Sequence, residues 1–187
     1  TGGALATDKV TASYTTAGTY KPKAAGVDIL AITAGNSGTA ETFVLDLADT
    51  TGVITVEVNN NSDTAVDTVT IDKMTNQKIV VTGSATTANI VEAKLADATG
   101  TADSVSIELK NAAGPTIVGS PVLKTTDIET INLKVSGLDT SVSLASLAMT
   151  DATKFESLVV TGDKALTVTA VNANVTSINA SGMTTGG

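Results

Sequence analysis

One six-residue pattern occurs three times between Asp127 and Gly182: Ile128-Glu129-Thr130-Ile131-Asn132-Leu133, then Phe155-Glu156-Ser157-Leu158-Val159-Val160, then Val175-Thr176-Ser177-Ile178-Asn179-Ala180. Each copy reads as a short strand. A bulky apolar residue enters, a Thr or Ser follows, and an aliphatic residue points the opposite way. The second and third copies close on Thr161-Gly162 and Ser181-Gly182. Copies 20 to 27 residues apart, with no helical period between them, predict an all-β fold in which successive coils stack as a parallel β-solenoid.

The composition agrees with narrow coils. Of 187 residues 42% are hydrophobic but only 2% aromatic, and 34 are Thr. Short Thr/Val-rich strands suit such layers, because β-branched side chains stack well on a pleated surface. Formal charge is −8, with 11 Lys and no Arg. That balance argues against nucleic acid, whose phosphates are met by Arg forks and clustered positive charge. The absence of Cys and His excludes disulfides, thiolate chemistry, His or Cys zinc sites and every His-dependent triad. No run approaches the ~18 apolar residues of a membrane helix, so no membrane span is expected. The opening Thr1-Gly2-Gly3-Ala4 lacks the basic and apolar regions of an export signal, so the sequence reads as a piece of a longer polypeptide.

Residues 1–27 read as an extended lead-in, with a turn near Tyr20-Lys21-Pro22. Strands follow from Asp28: Ile29–Ile32, then Glu41–Leu47 with Phe43, Leu45 and Leu47 on one face. Ile54, Val56 and Val58 come next, then Val66–Asp72 with Val69 and Ile71 together. The polar run Asn59-Asn60-Asn61-Ser62-Asp63 reads as a turn. Lys78–Gly83 echoes Ser157–Gly162, and Gly38–Leu47 matches Gly100–Leu109 at an offset of 62. These echoes divide the chain into related blocks at 28–94 and 95–187. An irregular insertion is expected at 111–121, where Pro115 and Pro121 interrupt any ladder. A short helix is compatible with 141–150, where Val142, Leu144, Ala145 and Leu147 approach helical spacing. Asn132 and Asn179 hold equivalent places in the repeat, where they either stack as an amide ladder or simply face water.

Leu95–Asp103, Thr126–Asn132, Lys154–Gly162 and Val175–Gly182, in that order, resemble the type I-secreted surface-layer proteins of Gram-negative bacteria, in the part just ahead of their RTX calcium repeats. The resemblance covers about residues 91–187. It implies a parallel β-solenoid in a secreted, cell-surface structural protein that assembles with itself into a Ca²⁺-dependent two-dimensional lattice, attached to outer-membrane lipopolysaccharide through other parts of the protein. The Gly-Gly-x-Gly-x-Asp nonapeptide is absent here, so the family's calcium ligands transfer to no residue of this chain. A secreted RTX adhesin, binding another surface, is the alternative.

Calcium then becomes an expectation from kinship and acidic charge. It takes six to eight oxygens, and acidic turns at coil ends are where several can converge. The candidate ligands are Asp97 and Asp103 around a Gly-containing turn, Asp127 with Glu129, Asp63 with Asp67, and Asp46 with Asp49. Each is equally readable as a solvated turn former. Carboxylate pairs also catalyse sugar chemistry, but sugar subsites use aromatic platforms, and this chain has no Trp, two Tyr and two Phe. The sequence is therefore read as a non-enzyme.

Overall fold

The structure is a computed structural model and describes residues 7–35, 38–60, 65–84, 89–111, 121–137, 141–144, 146–149, 157–171 and 175–184. In chain order the strands are β1 Lys9–Tyr14, β2 Gly18–Tyr20, β3 Ile29–Ala34, β4 Thr42–Asp46, β5 Thr55–Asn60, β6 Thr68–Met74, β7 Lys78–Ser84 and β8 Ile90–Leu95. They continue as β9 Ser104–Asn111, β10 Val122–Thr125, β11 Thr130–Gly137, β12 Ser141–Leu144, β13 Ser146–Met149, β14 Ser157–Gly162, β15 Ala165–Val168 and β16 Ser177–Met183. Eight of them form one parallel sheet in the order β1-β3-β5-β7-β9-β11-β14-β16. Six form a second in the order β13-β10-β8-β6-β4-β2, and β12 pairs with β15. From β1 to β11 the chain alternates between the two large sheets, adding a strand to each per circuit. This is the expected β-solenoid, with no helix among the described residues.

Period-two patterning decides which side chains fill it. In the larger sheet the core column runs Val10, Leu30, Val56, Ile79, Ile107, Leu133, Val160, each paired with the next rung. The smaller sheet supplies Phe43, Val69, Val91 and Leu123 in the same way. Every residue of both columns except Val10 is buried. Val10 lies in the first rung and is 46% exposed. Ile178, core-facing in the last strand, is 61% exposed.

The threefold repeat is a register. Thr130 pairs with Ser157 and Ser157 with Ser177, while Ile131 pairs with Leu158 and Leu158 with Ile178. Circuit length varies from 20 residues, Lys9 to Ile29, to 32, Ile90 to Val122. The corners absorb the difference. Asn132 and Asn179 share a column, but Val159 lies between them, so no amide ladder forms. The closing glycines are also out of step: an extra residue in β16 sets Gly182 against Thr161 and Met183 against Gly162.

Several expectations change. The lead-in contributes β1 and β2, the first rung, whose Tyr14 and Tyr20 rings stack at 3.9 Å. Ile54 precedes β5 and is 57% exposed, while Val56 and Val58 are buried. The helix at 141–150 is replaced by β12 and β13, because parallel pairing of Val142 with Leu166 and Leu147 with Leu123 outcompetes a weak helical spacing. The Gly38/Gly100 echo joins β4 of the smaller sheet to β9 of the larger, so it marks equivalent corners on opposite faces, not equivalent rungs. Both sheets run unbroken across the proposed division at 94/95. Most of the insertion 111–121 lies outside the described residues; β9 ends at Asn111, and Pro121 is buried just before β10.

Candidate cation-binding corners

Each circuit bends sharply between sheets, and backbone groups at a bend lose their ladder partners. At the entry to the smaller sheet, the corner carbonyls of Glu41, Asp67 and Asn89 each accept from the first strand residue of the next rung: Thr68, Ile90 and Val122, all at 2.8 Å. The corner N–H groups are met by side chains instead. Asp67 Oδ1 accepts from the Glu41 N–H at 2.8 Å, and Asn89 Oδ1 from the Asp67 N–H at 3.1 Å. The opposite corner repeats the device, with Asp28 Oδ2 on the Asp8 N–H at 3.1 Å and Glu129 Oε2 on the Asp103 N–H at 2.7 Å. An acidic or amide residue before a strand therefore clips its rung to the one below. A charged acceptor makes the stronger clip.

This device accounts for several of the expected calcium ligands. Glu129 and Asp103 meet at one corner, and Asp127, two residues from Glu129, adopts a left-handed backbone with φ +55°. Asp97 and Asp103 both line an open cleft of about 390 Å³ with Met74, Thr75 and Leu95. Asp97 is exposed and already accepts from the Thr99 N–H at 3.1 Å and hydroxyl at 2.7 Å, bonds that lower its pKa. Asp46 accepts from the Ala48 N–H at 3.0 Å and faces Lys21 Nζ at 3.2 Å, and these contacts lower its pKa. Asp49 is exposed in the adjoining turn, and Asp63 lies outside the described residues. Among the described residues no three acidic side chains gather into one metal-ligating group.

Asp67 differs from the rest. It is fully buried, as are Asn60 and Asn89 beside it. Asn60 Nδ2 donates to the Asp67 carbonyl at 3.2 Å, and Asn89 Nδ2 to the Asn60 carbonyl at 3.3 Å. Of the six buried side-chain oxygens without a partner among the described residues, three belong to this corner, Asp67 Oδ2, Asn60 Oδ1 and Glu41 Oε2; the others are Asp103 Oδ2 and the Thr125 and Thr126 hydroxyls. Sequence reasoning reached Asp67 but missed Glu41, Asn60 and Asn89. A signal existed for Glu41, which holds the place of Asp103 in the Gly38/Gly100 echo. Asn60 was hidden in an apparent turn; it ends β5 facing inward.

The outer sheet faces are not bare acid. Glu57 pairs with Lys9 at 2.5 Å, Glu92 with Lys94 and Lys124 at 3.5 Å each, and Glu108 with Lys78 at 2.8 Å and Lys134 at 3.3 Å. Glu108 also accepts from Ser136 Oγ at 2.7 Å. Burial alone would raise its pKa, but the Lys78 and Ser136 hydrogen bonds, the Lys78 charge and the Lys134 bond outweigh burial and hold it at about 2. No helix among the described residues is long and apolar enough to cross a membrane. Comparison of the chain with protein-family models, with curated proteins and with solved structures finds no match.

Proposed function

We propose that this chain is a structural segment of a bacterial surface layer, secreted to the cell exterior and assembling with copies of itself into a Ca²⁺-dependent two-dimensional lattice. The observation that supports this most directly is the continuous parallel stack, whose eight-stranded sheet runs from β1 to β16 without interruption. In such a stack each rung contacts only its neighbours, which makes a long body whose sides can tile. Lysines engage the carboxylates of the outer sheet faces, so excess negative charge is concentrated at corners and turns. Like charges there oppose close approach of copies, and a bridging divalent cation converts the repulsion into attraction. Attachment to lipopolysaccharide belongs to other parts of the full protein.

Electron microscopy of the full-length protein, in calcium and in chelator, tests the reading. Ordered sheets are expected in calcium and dispersed protein in chelator. The same sheets under both conditions would sink it, and a cell surface with no periodic coat would favour an adhesin.

A further inference from the structure

We propose that the corner built by Glu41, Asn60 and Asp67 is an internal site for a hard cation of the calcium class, which ties rungs together within one molecule. Asp67 and Asn60 are fully buried, and each has one side-chain oxygen with no donor; Glu41 Oε2 is buried and donorless too. Their places are fixed by other bonds. Asp67 Oδ1 is held on the Glu41 N–H at 2.8 Å, Asn60 Nδ2 on the Asp67 carbonyl at 3.2 Å, and Asn89 closes the group through the Asp67 N–H at 3.1 Å and the Asn60 carbonyl at 3.3 Å. The free valences of the corner are therefore acceptors.

One fully buried carboxylate, a buried amide oxygen and one buried oxygen of a half-buried carboxylate call for compensating positive charge. Among the described residues, no lysine forms an ion pair with Glu41 or Asp67. A water molecule offers only two protons and no net charge. A cation offers both charge and coordination, and with no His or Cys in the chain the all-oxygen set selects a hard ion over zinc or copper. Glu41 stands before β4, Asn60 ends β5 and Asp67 stands before β6, so one ion would join three consecutive strands across both sheets.

The inference rests on the calcium reading of the proposed function and narrows it to an ion inside the protomer. Calcium is titrated calorimetrically into chelator-treated protein, kept dispersed, with parallel thermal melts in calcium, magnesium and chelator. At a hundredfold excess over Kd, calcium is expected to raise the melting temperature by about 5–10 °C. Asp67→Asn keeps the acceptor for the Glu41 N–H but replaces the orphaned oxygen with a donor, and it should abolish the shift. Glu41→Gln should weaken binding at least tenfold. A wild-type protein with no calcium heat and no shift would overturn the site. So would wild-type affinity in Glu41→Gln together with Asp67→Asn, or in Glu41→Gln alone should Asp67→Asn not fold. An intact melting shift in a protein whose sheets ignore calcium would refute the lattice reading and leave this site standing.

Discussion

Glu108 shows how far an outer-face carboxylate contributes to this fold. It lies on the solvent side of β9 yet is only 6% exposed, because β7 and β11 bring Val80 and Lys134 alongside it and Lys78 and Ser136 reach across to it. Its pKa falls from 4.5 to about 2, and at ~1.36 kcal/mol per unit the upper bound on its contribution is ~3.4 kcal/mol. Lys78 and Lys134 are 42% and 57% exposed, so water and salt screen the pairing, and about 1 kcal/mol is expected to survive. A depressed carboxylate stabilises the fold above its unfolded pKa, and that contribution is lost as pH falls through the folded value. The window here runs from about pH 4.5 down to about pH 2. Urea unfolding of wild type and Glu108→Gln should therefore differ by about 1 kcal/mol at pH 7, and the difference should vanish by pH 2. A difference that is constant with pH, or no difference at pH 7, would refute the reasoning.

Ile107, buried between Ile79 and Leu133, should cost ~2–5 kcal/mol on truncation to Ala by chemical denaturation. Hydrogen exchange should accelerate most in β7, β9 and β11, and an even acceleration from end to end would contradict nearest-neighbour coupling. Gly162 has φ +133°, and an added Cβ would stand 2.0 Å from the Val135 carbonyl oxygen. Gly162→Ala should destabilise by about 3 kcal/mol or more. Gly182→Ala meets Thr161 alone, most closely its methyl at 2.7 Å on an exposed side chain, and should cost less than half as much. Equal denaturation midpoints for the two variants would show that the Gly162 backbone is not the constraint.

Much of this architecture was legible from the chain. The repeat predicted the Thr130/Ser157/Ser177 register, and alternation identified Phe43, Leu45, Val56, Val69 and Ile71 as core. Alternation failed at Ile54 because a corner resets the face before β5 begins. It also could not say that Gly38–Leu47 and Gly100–Leu109 lie on opposite sheets, because entry to either sheet makes the same demands: an acid to clip the rung below, then inward aliphatics.

The sequence by itself determined the solenoid, its aliphatic interior and the absence of thiolate or imidazole chemistry, since these follow from local periodicity and residue types. Which residues stand above one another was decided by the tertiary structure. Stacking depends on the summed length of each circuit and on single-residue shifts such as that in β16, and no local pattern records either. The candidate site belongs to that second kind of information. Glu41, Asn60 and Asp67 are separated by 19 and 7 residues, and only the winding of β4, β5 and β6 brings the Glu41 N–H onto the Asp67 carboxylate and the Asn60 amide onto the Asp67 carbonyl.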